Sequence, residues 1–519
     1  MYSVSACMSE HSTPPYFRRS LGFVAILLVL LLGIATAQTA PQPTEPKEVP
    51  GAGVAVQDQP QSPPSPQAQP HSPQTSPSQA AESEASKPIT KAQAKELFRS
   101  VDEILQFVSQ DTGLPIKHKV KRKLITRDQV ESYVEKRMKG DKDALRLERE
   151  QLVLKKFGMI PPNYDLHAEF LKLLSEQVAA YYDSKTKTVN LLDWVQPELQ
   201  KPVLAHELTH ALQDQAVDLQ KWSRAGAKDD KPLPDQQEQV VEEAQAARQN
   251  VTEGQAMVAM LDYTLAPAGL NVLKAPDIVD AMRAAMTHGQ DSPVLAAAPV
   301  FLQESLMMPY TFGLDFVRTV LTKKGTAAAY PGMLEHPPVD TLQVMEPQTY
   351  LDNSVAQPPT IPNLNQLIAP DYERYDFGGM GAFDIFLLAR QYAPEGDAKR
   401  YYPHWRGGYY LAAHAKSAPK DQIALLYFSR WDSPKAAEAF ANLYSDYTPK
   451  RFKEHSLMAW GSSVGGNEAN DTIYKWDFGD QGNVIIQVHG NGVLVLEGFD
   501  DAVGKRITAA LLAGPQSPR

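Results

Sequence analysis

The sequence predicts an α+β protein with two folded units: a mainly helical one with a small β-sheet over residues 89–365, and a C-terminal α+β unit over 371–515. Three features carry this expectation. Apolar residues recur at helical spacing through most of the first unit. One strand–turn–strand pattern interrupts them, and from about Asp371 strand-like and helical runs alternate anew. Composition agrees, because 43% hydrophobic and 22% charged residues in a chain of 519 supply enough apolar surface for a sizeable core.

The N-terminal segment reads differently. Arg18 and Arg19 precede an apolar run from Leu21 to Ile34, and Ala35-Thr36-Ala37 follows. A basic region, an apolar stretch and a small-x-small pattern describe an export signal peptide over 1–37, cut before Gln38. The alternative is an uncleaved anchor over 21–37, for which the apolar run is short of the ~20 residues of a bilayer span. Export places the mature protein in a periplasmic or extracellular compartment. Residues 38–88 hold twelve of the 41 prolines and no Phe, Trp or Tyr. Such a segment buries too little apolar area to offset chain entropy, so it is expected to be a disordered linker.

From Thr90 the pattern becomes helical. Leu97, Phe98, Val101, Ile104, Leu105 and Val108 form one stripe. Thr126 and Gln129 have the spacing of a capping box, opening a helix with Val130, Tyr133, Val134 and Met138 on one face. Leu166, Phe170, Leu173 and Leu174 mark another helix. The period then shortens: Val178–Asp183, a polar turn Ser184–Lys187 and Thr188–Leu192 predict a β-hairpin. A helix begins near Pro197 or Glu198, where proline suits a first turn. After the polar stretch Trp222–Asp235, a long helix runs from about Gln236 to Tyr263.

In the C-terminal unit a helix near Met380–Tyr392 precedes the aromatic run Trp405–Tyr410. Strand-like Ile423–Phe428 leads to a helix through Ala437, Phe440 and Tyr444. Tyr474–Phe478, Val484–Val488 and Val493–Phe499 read as antiparallel strands, the last two joined by a turn at Asn491-Gly492, and a helix spans about Asp501–Leu512.

Two compositional facts narrow the function. A net charge of −10 gives no support to nucleic-acid binding. The only cysteine, Cys7, precedes the apolar run, so a chain cut after it has no disulfide, thiol nucleophile or thiolate ligand. Any metal must be held by His, Asp or Glu.

Residues 203–215 read Val-Leu-Ala-His-Glu-Leu-Thr-His-Ala-Leu-Gln-Asp-Gln. On a helix, His206 and His210 stack on one face and can reach one ion, the pattern of a zinc site. Glu207 is turned by one residue, beside the ion, where its carboxylate can hold a water and take its proton. Leu204, Leu208, Ala211 and Leu212 fall mostly on other sides and can pack into a core. Catalytic zinc normally takes three protein ligands. A third histidine at short spacing would fall at position 216, which is alanine, so a carboxylate on the long helix is the next option. Glu253 is favoured, because Gly254 and Ala256 leave room for close approach to the first helix. Glu242 and Glu243 lie in a charged, Gln-rich stretch expected to be solvated. Tyr310 and His336 are the candidates for a group that stabilises charge on a substrate oxygen, and the expected substrate is a peptide or protein lying along an edge strand within 178–192.

The run His206-Glu-Leu-Thr-His210 with downstream Glu253-Gly-Gln-Ala resembles the gluzincin branch of zinc metallopeptidases. Residues from about Phe157 to Tyr350 resemble, more narrowly, a group of exported bacterial HExxH proteins. The matching stretches are Gln177–Asp183, Leu191–Trp194, His206–Gln215 and Glu253-Gly254. The resemblance implies a zincin-like metallopeptidase domain with His206, His210 and Glu253 as zinc ligands and Glu207 as general base. Two positions depart from it: Met257 stands where gluzincins place an Asp, and Glu346 where the bacterial group has a His. The rival expectations are a catalytically impaired pseudopeptidase and an envelope peptide-binding or scaffold protein with a zinc site.

Overall fold

A computed structural model describes residues 88–512, apart from short stretches within 131–140, 170–179, 228–232, 288–292, 418–421, 453–455, 463–471 and 479–481. The expected export signal and all but the last residue of the linker lie outside it. Among the described residues no helix is long and apolar enough to cross a membrane. Helices of eight or more residues are numbered here.

Helix α1 (Lys91–Thr112) opens with a capping box, in which Thr90 and Gln93 satisfy each other's backbone N–H groups, and stops at Gly113, whose φ of 71° is left-handed. Its predicted stripe of Leu97, Val101, Ile104, Leu105 and Val108 is buried. Strand β1 (Lys121–Ile125) follows, and Thr126 and Gln129 then exchange the bonds expected of a capping box. Tyr133, Val134 and Met138 of the helix expected beyond them, and Phe170, Leu173 and Leu174 of the next, lie outside the described residues. Helix α2 (Asp141–Phe157) was not foreseen.

The predicted hairpin is present as β2 (Tyr181–Asp183) and β3 (Thr188–Leu192), paired antiparallel. Strand β1 adds to β3 in parallel, giving the order β1-β3-β2. β3 is therefore interior and β2 is an edge. Gln200 fastens this sheet to the next helix: its Oε1 accepts from Leu192 N (3.0 Å), and its Nε2 donates to Leu192 O (2.9 Å) and Val195 O (2.6 Å). That helix is α3 (Pro197–Val217), with Pro197 in its first turn as expected. Leu204, Leu208, Ala211 and Leu212 are fully buried.

Helix α4 (Asp235–Leu265) packs along α3. The expectation for Gly254 needs correction. It makes room not for α3 but for a π-wound turn, Pro309–Gly313, on another side of α4. A Cβ on Gly254 would collide with the Gly313 carbonyl, and one on Gly313 would stand 2.8 Å from the Asn250 carbonyl. One residue along a helix is a rotation of ~100°, so a glycine beside Glu253 opens a different face from the one the glutamate uses. Helices α5 (Pro276–Thr287), α6 (Val300–Met308) and α7 (Leu314–Lys324) surround this turn, and a second π-wound turn, Ala328–Gly332, follows.

The second unit is built on a seven-stranded antiparallel sheet of order β4-β5-β6-β10-β9-β8-β7. Its strands are β4 (Tyr372–Gly379), β5 (Trp405–Ala415), β6 (Ile423–Trp431), β7 (Ser456–Ser462), β8 (Thr472–Asp477), β9 (Asn483–His489) and β10 (Gly492–Glu497). Helices α8 (Ala382–Tyr392), α9 (Pro434–Tyr447) and α10 (Asp501–Leu512) complete it. Strands β4 and β7 were not foreseen, and the aromatic run Trp405–Tyr410, to which no element was assigned, opens β5. The turn between β9 and β10 lies one residue earlier than expected: His489 pairs with Gly492, so Gly490 and Asn491 form the two-residue loop. Gly490 supplies the positive φ of 54° that such a loop needs at its first position.

The sheet is buried on both faces. Leu425 and Tyr427 join the core that also contains the α1, α3 and α4 side chains, while Leu426 and Phe428 join a second cluster closed by Val503 and Ile507 of α10. The start of α4 is covered by β4 and its flanks, which overturns the solvated expectation for Glu242 and Glu243. Glu243 is buried and accepts from Thr341 N (3.0 Å) and Oγ1 (2.7 Å), and Glu242 accepts from Gly379 N. A carboxylate is tolerated inside when such donors replace its water.

Gly254→Ala tests the close approach of α4 to the Pro309–Gly313 turn. It is expected to cost about 1–3 kcal/mol in denaturant unfolding, and unchanged stability would show that the two backbones do not meet.

Candidate metal centre

The side chains predicted to ligate are brought together. His206, His210 and Glu253 are 1%, 3% and 2% exposed, and one ligand atom from each lies within 4.8 Å of the others. His206 Nε2 and His210 Nε2 are 3.1 Å apart, and Glu253 Oε2 lies 3.2 Å from the first and 3.5 Å from the second. Helical spacing on α3 stacks the two rings, and the α3–α4 packing supplies the carboxylate from the opposite side. This buried group could hold a metal ion.

Electrostatics shows what the arrangement demands. Burial alone would raise the Glu253 carboxyl, but the His210 and His206 rings outweigh it and hold it at about 2. Burial alone would lower His210, but the Glu253 carboxylate wins and pushes it up to about 9. His206 moves down, chiefly through burial. The cluster thus keeps one positive charge between its donors: a proton in its absence of metal, or a cation in its place. The donor set of two imidazoles and a carboxylate suits a borderline metal ion.

Glu207 is fully buried and does not join the trio. Its Oε2 accepts from the Tyr182 backbone N–H at 2.7 Å, while Oε1 is buried without a hydrogen-bond partner among the described residues. Burial pushes its carboxyl up to about 8, with Glu253 adding to the rise and His210 and the Tyr182 bond opposing it.

Three groups around α3 were missed in the sequence. Gln213 Oε1 lies 2.9 Å from His210 Nδ1. Asp214 accepts from Lys187 Nζ (2.6 Å), Tyr182 Oη (2.7 Å) and Leu219 N (3.0 Å), tying the hairpin to the end of the helix. Gln255 reaches Gln213 from α4, its Oε1 2.9 Å from Gln213 Nε2. Gln213 and Asp214 stand three and four residues after His210, on the ligand side of the helix, and that spacing was their available signal.

Of the other candidates, Tyr310 is 2% exposed in the Pro309–Gly313 turn. Burial raises its hydroxyl well above the ordinary range, and the carboxylates of Glu253 and Glu207 raise it further, so it lies within electrostatic reach of the cluster. His336 is exposed at the end of a short helical turn, its carbonyl accepting from Tyr350 Oη at 2.8 Å. No described interaction joins it to the cluster. Glu346 accepts from Tyr402 Oη at 2.9 Å.

Comparison with protein-family models, curated proteins and solved structures finds no match to this chain. Its function must be argued from this geometry.

Metal binding has to displace the His210 proton, which is present below about pH 9. Affinity is therefore expected to climb roughly tenfold per pH unit, or more steeply, until the pH passes that value. At least one proton per ion should be released near neutral pH, as read by calorimetry in buffers of different ionisation heat. A flat affinity between about pH 6 and 9 would exclude His210 as a ligand.

Proposed function

We propose that this chain is an exported, zinc-dependent peptidase of the gluzincin type, with His206, His210 and Glu253 as ligands and Glu207 as general base. The observation that carries it is the asymmetric hold on Glu207. One oxygen is anchored by the Tyr182 amide, and the other is buried and, among the described residues, without a hydrogen-bond partner near three convergent donors. A site that only stabilised the fold would have no use for such a carboxylate.

When bound, zinc supplies Lewis acidity that polarises a carbonyl and acidifies water. Glu207 Oε1 is the atom that takes a proton from water and returns it to the departing amine. Burial holds Glu207 protonated up to about pH 8; a dication beside it favours the carboxylate and makes it a base at neutral pH. Tyr310 keeps its proton at working pH and lies within electrostatic reach of the same carboxylates, which supports the role of donor to charge developing on a substrate oxygen. His336, exposed and outside the cluster, has no support for that role.

β2 supports an extended peptide as the substrate class. Among the described residues this strand has a strand neighbour on one side only, and its Tyr182 amide points toward Glu207. An extended peptide pairing along β2 would pass the general base through main-chain hydrogen bonds, which tolerate varied sequence.

Metal content and hydrolysis of a mixed peptide library, wild type against Glu207→Gln, test this function. The variant should keep its zinc and lose cleavage by about 10²–10⁴-fold. Stoichiometric zinc without any Glu207-dependent cleavage would overturn the enzyme assignment in favour of a peptide-binding protein.

A further inference from the structure

Behind the metal centre the two ligand-bearing helices are joined by a chain of buried amides. We propose that this chain, running from the backbone of the Ala328–Gly332 turn through Gln255 and Gln213, dictates which nitrogen of His210 faces the metal. The inference rests on the metal reading of the His206–His210–Glu253 trio and adds two positioning residues to it.

The direction of every link is determined by chemistry. Gln255 Nε2 lies 2.7 Å from the Ala329 carbonyl and 3.1 Å from the Tyr330 carbonyl. Both are acceptors only, so the amide nitrogen of Gln255 must face them. The turn is π-wound, and the Tyr330 carbonyl also accepts from the Met333 amide; a carbonyl has two lone pairs, so the side-chain amide adds to the backbone bond rather than replacing it. The Gln255 oxygen is thereby turned toward α3, where it accepts from Gln213 Nε2 at 2.9 Å. A second backbone acceptor, the Thr252 carbonyl at 3.0 Å from the same Nε2, fixes the Gln213 amide independently. Its Oε1 is then left facing His210 Nδ1 at 2.9 Å.

An amide oxygen can only accept, so Nδ1 must carry the proton. Once a metal ion has displaced the ring's second proton, Nε2, which lies 3.1 Å from His206 Nε2, is the nitrogen that offers its lone pair to the cluster. Gln213 and Gln255 are both 0% exposed, so bulk water does not reach a reversed link. Flipping either amide alone would set oxygen against oxygen, with a buried donor left unpaired, a cost that burial makes large. His206 has no counterpart: its Nδ1 is buried without a hydrogen-bond partner among the described residues. His210 is thus the ligand whose tautomer the fold itself writes, from a backbone turn on the far side of α4.

The experiment uses the full chain loaded with zinc or with NMR-active cadmium and carrying nitrogen-labelled histidine. In the wild type, the metal coupling should appear at His210 Nε2, with a slowly exchanging proton on Nδ1; coupling at Nδ1 would overturn the proposal without any variant. Gln255→Met, close in shape and at a residue hydrogen-bonded to none of the three ligands, should weaken zinc by about ten- to a hundredfold in chelator competition and speed exchange of the Nδ1 proton. Gln213→Glu should also weaken zinc, although it offers His210 a stronger acceptor, because a carboxylate cannot donate to Thr252 and Gln255. Wild-type zinc binding with both variants within about twofold of it would refute the relay while leaving the metal centre standing. A wild type that takes up no zinc would instead fail the metal reading on which the relay rests.

Discussion

Three donor atoms that would repel or ignore one another in water are held face to face, away from solvent, where α3 packs on α4. Two imidazole nitrogens 3.1 Å apart with a carboxylate against both need a positive charge between them. Most of the surrounding architecture serves to hold these donors in place. Helix α3 is packed on nearly all sides, by α1, α4 and the small sheet, so its ligand rings have no space to turn away. The approach of α4 to the Pro309–Gly313 turn requires glycine on both sides, and it carries Tyr310 to the same cluster.

The second constraint concerns what lies just outside the ligands. Residues 213 to 215 of α3 each reach a different neighbour: Gln213 reaches α4, Asp214 the hairpin, and Gln215 the backbone of Lys117 and His118. The Asp214 bond to Tyr182 Oη and the Glu207 bond to Tyr182 N hold one edge-strand residue at two points. The distance between Glu207 and the edge strand is thus set by the fold rather than by a mobile side chain. The large C-terminal sheet contributes at longer range, because Gly379 at the end of β4 donates to Glu242 near the start of α4, the helix that carries Glu253 further along.

How much of this was legible in the sequence depended on how local the physics was. The His206–His210 stack follows from helix geometry within five residues, and Glu253 could be singled out by the small residues beside it. The reason given for Gly254 was nevertheless wrong in its partner, because sequence shows that a backbone comes close but not which one. Glu242 and Glu243 looked solvated because charge density is local, whereas the strand that covers them lies far along the chain. β4 escaped notice because its polar residues and terminal Gly-Gly mask a strand covered on its inner face by α4. The turn in β9–β10 slipped by one residue because Gly490 and Gly492 flank the same asparagine, and only the pairing register chooses between them. The amide relay was the least visible part, since glutamine carries no signature until its neighbours' carbonyls fix its orientation.

The claim on which the account stands is that a single ion is shared by α3 and α4. Equilibrium zinc binding to the full chain, compared between wild type and Glu253→Gln, measures it most directly, because the substitution keeps size and removes only the charged ligand. The account predicts one tightly held zinc in the wild type and a loss of affinity of at least about a hundredfold in the variant, beyond what outer-shell partners usually cost. An equal affinity in both would place the ion elsewhere or nowhere, and would contradict the assignment of Glu253 as the third ligand.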